Sequence, residues 1–128
     1  MSDSSAYPSL ARVPAILEGE KKRRHDALIA ERILASLRAR HQINKPEVRR
    51  FEIGRTNDPV RRKSERKCDA LPVLFEGSAG DAKIIEEALI SEFKRHLKNT
   101  NSSVASVGPI SEDATQYVYA ALWMGFLP

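Results

Sequence analysis

The sequence predicts an α/β (α+β) fold: a small mixed sheet of three or four strands flanked by helices, with an added long N-terminal helix. Short apolar or alternating segments predict strands at 50–54, 71–76 and 116–123. Apolar residues that recur every three or four positions predict helices before and between those strands. The 128 residues are enough for one domain and an appendage.

The first 45 residues divide into two parts. Residues 1–14 contain serines and prolines with little periodicity, so we expect an irregular N-terminal arm. Residues 15–45 predict a long basic helix in which Ile29, Ile33 and Leu37 are in i, i+4, i+8 register. We expect this apolar stripe to pack on the domain's own sheet. Self-association through the helix is the alternative, because its basic first half has no such stripe.

Residues 46–128 carry the remaining elements. They are a strand at 50–54, a helix from Pro59 to about 67, a strand at 71–76, a helix from about 81 to 98 opened by a capping box at Ser78, a strand at 116–123 and an apolar C-terminal tail at 124–128. Phe51 and Ile53 point to one face of the first strand, and Glu52 points to the other. Tyr117 and Tyr119 share a face of the last strand. The tail needs cover from the same chain or a neighbour.

The segment Gly54-Arg55-Thr56-Asn57-Asp58-Pro59-Val60-Arg61-Arg62 joins a strand end, a helix start and two arginines. Gly54 permits the backbone to turn. Asp58 followed by Pro59 predicts the first turn of a helix. Arg61 and Arg62 then lie beside the positive end of that helix, which attracts anions. The segment therefore predicts a phosphate-binding site.

A buried carboxylate is predicted on the helix at 81–98. At about 100° per residue, the apolar arc of this helix includes Glu86, whereas Glu87 falls on the opposite side. The members of the arc are Ile84, Ile85, Ala88, Leu89, Phe93 and Leu97. A carboxylate at the rim of a buried face needs either a basic side chain or a cation. The sequence leaves both partners open.

The basic charge lies in one half of the chain. Residues 20–67 hold 16 Lys and Arg against 7 Asp and Glu, whereas residues 68–128 hold 4 against 8. One interpretation is a solvated helix face, and the other is an electrostatic surface for phosphates.

Several classes of protein are excluded by composition. Cys68 is the single cysteine, so an intramolecular disulfide and a cysteine-cluster metal site are excluded. No apolar run approaches the roughly 18 residues of a membrane-spanning helix. The first residues have neither the basic start nor the apolar core of a secretory signal. We therefore expect a cytoplasmic protein that does not enter a membrane.

The order of these elements resembles the GIY-YIG nuclease family over about residues 51–101. The resemblance depends on the segment from Gly54 to Asp58 with Arg61 and Arg62, followed by Glu86-Glu87-Ala88-Leu89-Ile90 on a later helix and then an Asn-rich loop. It implies a small mixed sheet with flanking helices. It also implies a site in which two strand tyrosines, an arginine, a metal-binding glutamate and an asparagine surround the scissile phosphate.

In that resemblance, the arginine falls on Arg62 and the glutamate on Glu86, while the asparagine falls near Asn99, with Asn101 as its neighbour. The two tyrosines are missing from their usual places. Glu52 stands two residues before Gly54, where the family has tyrosine, and Arg66 replaces the family's helix histidine. Tyr117 or Tyr119 would supply a hydroxyl if the last strand lies beside the first.

The sequence leaves three functions open. The first is binding of a nucleotide or nucleic acid, without a required cofactor, by a catalytically degraded domain of this kind. Its ligand-binding residues would be Gly54, Arg55, Thr56, Asn57, Arg61, Arg62, Arg66, Asn99 and Asn101. The second is a Mg²⁺- or Mn²⁺-dependent nuclease, with Glu86 as the metal ligand and Arg62, Tyr117 or Tyr119 as its catalytic partners. The third is a homo-oligomer, assembled through the N-terminal helix and the C-terminal tail, that sequesters small anionic nucleotides.

Overall fold

A computed structural model describes residues 8–100 and 114–125, with side chains described from residue 19 onward. The elements are α1 (Pro8–Ile43), β1 (Val48–Thr56), α2 (Pro59–Arg66), β2 (Val73–Gly77), α3 (Ala79–Glu92) and β3 (Gln116–Met124). This mixed arrangement of helices and antiparallel strands confirms the predicted fold class. The chain divides into two compact units, residues 1–31 and 32–128. The second unit contains the sheet.

The last strand in the sequence lies in the middle of the sheet. The strand order is β1-β3-β2, and β3 pairs antiparallel with both neighbours. Because β3 is covered on both faces, it is almost continuously buried from Gln116 to Leu122. β1 is longer than the predicted strand at 50–54, since pairing with β3 extends from Val48 to Thr56.

α3 covers one face of the sheet. Ile85 and Leu89 of α3 are fully buried, and the ring of Phe93 meets Phe51 of β1 edge-on with centroids 6.2 Å apart. Glu86 is fully buried and Glu87 is exposed, which confirms the orientation predicted for both.

The predicted length of this helix is wrong. α3 ends at Glu92 rather than near residue 98, and Leu97 is fully exposed instead of joining the apolar arc. Ile84, another predicted member of that arc, is 49% exposed. The helix stops because the following segment pairs with β1: the Phe51 N–H donates to the Lys98 carbonyl at 2.9 Å, and the Thr100 N–H donates to the Phe51 carbonyl at 3.0 Å.

The N-terminal helix differs from its prediction in extent and in packing. α1 begins at Pro8 rather than at residue 15, while residues 1–7 lie outside the described part of the chain. The prediction that Ile29, Ile33 and Leu37 pack on the sheet is wrong, since all three are 43% to 55% exposed.

The buried positions of α1 are instead Ala35, Ala39 and Ile43. Alanine side chains allow the helix backbone to approach its neighbours closely, which explains why this face and not the larger apolar one is covered. Glu92 at the end of α3 accepts hydrogen bonds from Ser36 at 2.7 Å and from Arg40 at 2.6 Å. Self-association through the exposed stripe stays a prediction.

α2 begins where the sequence predicts. The Asp58 carboxylate accepts a hydrogen bond from the Arg61 N–H at 3.0 Å, and Pro59 occupies the first turn. The helix ends at Arg66, and Lys67 caps it in a left-handed conformation with a φ of 54°. Within the described residues, no helix has the length and apolar character needed to cross a membrane.

Candidate active site

Tyr119 and Gly54 form the centre of the site. They are directly opposite each other in the β1–β3 ladder, and Tyr119 is only 2% exposed. A Cβ built on Gly54 would lie 2.5 Å from Cζ of Tyr119, so the tyrosine ring occupies the space above this glycine. Gly54 lies inside β1 and not at a turn, contrary to the prediction. The site needs glycine there because of this close approach.

The hydroxyl of Tyr119 meets Arg62. An Nη1 hydrogen of Arg62 donates to the hydroxyl oxygen at 3.4 Å. Burial raises the pKa of Tyr119 above its usual value of 10, and the positive charges of Arg62 and Arg66 oppose that rise. α2 therefore places the Arg62 guanidinium in contact with the buried phenol of the central strand, while Arg66 acts on the phenol through its charge.

The connection from β1 to α2 and the first turn of α2 together hold Arg62 beside the Tyr119 hydroxyl. The Thr56 hydroxyl accepts a hydrogen bond from the Asp58 N–H at 3.1 Å, which fixes the connection from β1 to α2. Asp58 then caps the helix, and Arg62 follows one turn later. Arg61 points away from the sheet, with 61% of its side chain exposed.

Glu86 has a charged partner, which the sequence left undecided. Its carboxylate is fully buried, and Oε1 lies 3.1 Å from Nε of Arg55 on β1. Neither carboxylate oxygen accepts a well-aligned hydrogen bond in the described part of the chain. Burial raises the pKa of Glu86 to about 6, and the charge of Arg55 opposes that rise.

The Tyr119–Arg62 contact and the Arg55–Glu86 ion pair meet β1 at two consecutive residues, Gly54 and Arg55. Because strand side chains alternate, Arg55 points towards α3 whereas Gly54 faces the ring of Tyr119. Their charges still interact: Arg62 lowers the pKa of Glu86, and Glu86 raises the pKa of Tyr119. The Tyr119–Arg62 contact and the Arg55–Glu86 ion pair therefore lie on opposite faces of β1 and influence each other through their charges.

A second ion pair lies beside Tyr119. Glu52 of β1 contacts Nη2 of Arg66 on α2, and both side chains are partly exposed. These are the residues that replace the tyrosine and the histidine of the resemblance. Sequence reasoning placed them separately and missed that they meet. The available signal was that Glu52 and Gly54 share a strand face while Arg62 and Arg66 share a helix face.

Arg50 and Trp123 form a stacked pair on the face of the sheet that carries Tyr119. The Arg50 guanidinium lies 4.0 Å from the ring centre of Trp123, and the indole N–H of Trp123 donates to the Lys67 carbonyl at 3.1 Å. Trp123 is four residues beyond Tyr119 on β3, a separation of about 13 Å at 3.3 Å per residue. Sequence reasoning did not single out this pair.

The other predicted residues take different positions. Tyr117 lies opposite Thr56 and Glu76, at the start of β3. Asn57 accepts a long contact of 3.5 Å from Arg61. Asn99 bridges Phe51, and its side-chain amide donates to the Lys94 carbonyl at 3.3 Å. Asn101 lies outside the described residues.

Glu86 is the residue of this site that could contribute a ligand to a Mg²⁺ or Mn²⁺ ion. In residues 8–100 and 114–125, no group of three His, Cys, Asp or Glu side chains could enclose a metal ion. Mg²⁺ is commonly bound through one or two carboxylates, substrate phosphates and water. Oε1 of the fully buried Glu86 already lies 3.1 Å from Nε of Arg55, so a cation would share this carboxylate with Arg55.

Comparisons with protein-family models, with curated proteins and with solved structures found no match to this chain. The functional conclusions therefore depend on the geometry of the site.

Proposed function

We propose that the chain is a metal-assisted phosphodiesterase that hydrolyses nucleic acid, with Tyr119, Arg62 and Glu86 at its centre. The observation that carries this proposal is the 3.4 Å contact between the Tyr119 hydroxyl and the Arg62 guanidinium. The sequence lacked a tyrosine at the expected positions of the first strand. The pairing of Tyr119 with Gly54 supplies a hydroxyl from a different strand.

In this reaction, the oxygen of a water molecule bonds to phosphorus and the ester bond to the leaving oxygen breaks. The phenolate of Tyr119 accepts the proton of the attacking water, and the leaving oxygen takes a proton from solvent. Arg62 binds the non-bridging phosphate oxygens, on which negative charge increases in the transition state. Burial raises the pKa of Tyr119, and the positive charge of Arg62 opposes that rise.

Glu86 is the residue that would hold the divalent cation. When bound, Mg²⁺ or Mn²⁺ supplies positive charge at the phosphate and the leaving oxygen. Arg55 keeps the buried Glu86 carboxylate ionised and in place before a cation arrives, because it is the nearest positive charge. Removal of Arg55 alone would leave an uncompensated buried carboxylate.

We also propose a relationship to the GIY-YIG nucleases in which the order of strands along the chain is changed. The strand that carries the reactive tyrosine comes last here, after both helices that bear Arg62 and Glu86. Its antiparallel pairing with the strand containing Gly54 supports this proposal. The mixed fold with a three-stranded sheet is compatible with it.

The test is cleavage of supercoiled plasmid with Mg²⁺ or Mn²⁺. Wild type should nick the plasmid, and Tyr119→Phe should lower the rate by about 10²- to 10⁴-fold because it removes the proton acceptor. Arg62→Ala and Glu86→Ala should also abolish cleavage.

Two neighbours are matched controls. Arg61→Ala removes the same charge from the exposed side of α2, and Tyr117→Phe removes a hydroxyl from the same strand face; both should keep most activity. Plasmid that stays intact with wild type, or a Tyr119→Phe variant as active as wild type, would contradict hydrolysis.

Binding without hydrolysis is the second candidate. The Arg55–Glu86 contact favours it, since Arg55 already supplies a positive charge to the carboxylate that a metal ion would need. In that case, labelled oligonucleotides should bind equally well with EDTA and with Mg²⁺, and Arg62→Ala should weaken binding. Plasmid should remain intact under both conditions.

A further inference from the structure

The face of the sheet beside Tyr119 carries one ion pair that the proposed reaction does not use. Strand alternation places Glu52 on this face, because Glu52 lies opposite Ala121, the next same-face position after the Gly54–Tyr119 pair. Glu52 is thus a carboxylate on the sheet surface directly beneath α2. Its side chain is 22% exposed.

Arg66 approaches this carboxylate from α2. Positions 62 and 66 are four residues apart, so both arginines project from the same side of the helix. Their side chains are 25% and 37% exposed, whereas Arg61 on the outer side is 61% exposed. Nη2 of Arg66 donates to Oε1 of Glu52.

The charge of Arg66 acts beyond this ion pair. Burial raises the pKa of Tyr119, and the charges of Arg62 and Arg66 both oppose that rise. The buried Nε–H of Arg66 has no hydrogen-bond partner among the described residues.

We propose that Glu52 is a positioning residue for the site: it holds the Arg66 guanidinium on the Tyr119 face of the sheet, one helical turn beyond Arg62, whose Nη1 contacts the Tyr119 hydroxyl. This inference rests on the proposed function for its link to hydrolysis. Its effect on Tyr119 itself exists without any substrate. The charged groups that shift the pKa of Tyr119 are Arg62 and Arg66 from α2 and Glu86 from α3. Glu52 of β1 is paired with Arg66, and Glu65 of α2 is paired with Arg62 at 3.2 Å.

Glu52→Gln separates positioning from simple charge. If Arg66 stayed in place, loss of the adjacent negative charge would let Tyr119 ionise at a lower pH. If Glu52 holds Arg66 there, the freed guanidinium moves into solvent and Tyr119 ionises at a higher pH. We expect the second result, with a shift of about half a pH unit or more.

The measurement is the phenolate absorbance of the full chain between pH 8 and 12, with the titration of Tyr119→Phe subtracted to isolate one tyrosine. Arg66→Gln should shift the midpoint upwards as Glu52→Gln does. Arg66→Lys retains the charge and should shift it less. A midpoint that falls in Glu52→Gln, or does not move in Arg66→Gln, would overturn the proposal.

A charge reversal distinguishes the positioning of Arg66 from an ion pair that only stabilises the fold. The double variant E52R/R66E keeps an ion pair between β1 and α2 but places a carboxylate beside Tyr119. We expect its Tm to exceed those of the two single reversals, while Tyr119 ionises at a higher pH than in wild type. Plasmid cleavage should fall at least about tenfold, in parallel with the phenolate fraction.

The double variant would overturn the proposal if it recovered both the wild-type tyrosine titration and the wild-type cleavage rate. That result would show that the ion pair only stabilises the packing of α2 on β1. If the double variant does not fold, the titrations of Glu52→Gln and Arg66→Gln decide. If wild type cleaves no plasmid, the proposed function fails, but the tyrosine titrations still test the Glu52–Arg66 pair. The two failures are therefore distinguishable.

Discussion

The ring of Tyr119 occupies the space that any side chain at position 54 would need, because Tyr119 and Gly54 are directly paired between β3 and β1. The position of the Tyr119 hydroxyl thus depends on the absence of one Cβ.

Gly54→Ala should disturb the site without removing a functional atom. The added methyl would lie 2.5 Å from Cζ of Tyr119, so the ring must move. We expect a loss of about 1 to 3 kcal/mol in the free energy of unfolding in urea and a loss of plasmid cleavage. Gly80→Ala is the control, because nothing lies within 4 Å of its added Cβ and it is in a helix. That control should be as stable as wild type or slightly more so; a Gly54→Ala variant with equal activity would refute the steric argument.

The buried carboxyl of Glu86 should make stability depend on pH. Its pKa is raised from 4.5 to about 6 by burial, so the folded state binds this proton more tightly than the unfolded chain does. The contribution is therefore fully present below about pH 4.5 and is lost as pH rises through about 6. It amounts to about 2 kcal/mol.

Urea unfolding between pH 4 and 8 measures the contribution of Glu86 protonation to the free energy of unfolding. Glu86→Gln cannot ionise and should lack it, so the difference in unfolding free energy between the variant and wild type should change across that window. A constant difference would show that Glu86 has an ordinary pKa. Cleavage should require the opposite condition, since a metal ion binds the ionised carboxylate.

The cap of α2 should affect catalysis through the placement of Arg62. Asp58→Ala removes the hydrogen bond to the Arg61 N–H and should cost about 1 kcal/mol of stability. Ser78→Ala removes the equivalent cap of α3, where the Ser78 hydroxyl accepts from the Asp81 N–H at 3.2 Å. Thermal unfolding should show similar losses for both variants. Plasmid cleavage measured well below Tm should fall more for Asp58→Ala, because only α2 carries Arg62.

The single tryptophan should report the length of a bound ligand. Trp123 lies about 13 Å along β3 from Tyr119 and is stacked under Arg50, so a mononucleotide at Tyr119 cannot reach it. An oligonucleotide of about four or more steps can span both positions. With catalysis blocked in Glu86→Ala, oligonucleotide should change the tryptophan fluorescence, and a mononucleotide should not.

Arg50→Ala should weaken this oligonucleotide binding. It should also reduce the slope of log K against log salt concentration by the amount that corresponds to about one phosphate contact. Arg49→Ala removes a charge at the preceding exposed position of β1 and tests whether the effect is specific to the stacked residue. Equal fluorescence changes with mononucleotide and oligonucleotide would argue for a small ligand.

The sequence predicted the local elements well because their signals are local. Asp58 and Ser78 fixed two helix starts through capping chemistry, and the alternation at 116–123 fixed β3. Glu86 was placed correctly because its apolar neighbours define a buried helix face. Each of these features depends on residues within about one or two turns.

Long-range packing determines which face of α1 is buried and which residues pair in the site, and the sequence did not predict either. Ile29, Ile33 and Leu37 form the stronger apolar pattern, yet the smaller Ala35 and Ala39 are buried, since burial depends on which surfaces can approach. The choice of Tyr119 for the site, and of Arg55 as the partner of Glu86, follows from strand register and helix placement. No local pattern encodes either pairing.

The central position of β3 makes assembly of this site dependent on the order of synthesis. β1 and β2 are both edge strands whose partner is β3, and β3 follows both of them in the chain. A nascent chain that has emerged only as far as α3 would carry Arg62 and Glu86 but neither a sheet nor the phenol. The Tyr119–Arg62 contact, on which the proposed hydrolysis depends, therefore forms only after β3 has been synthesised.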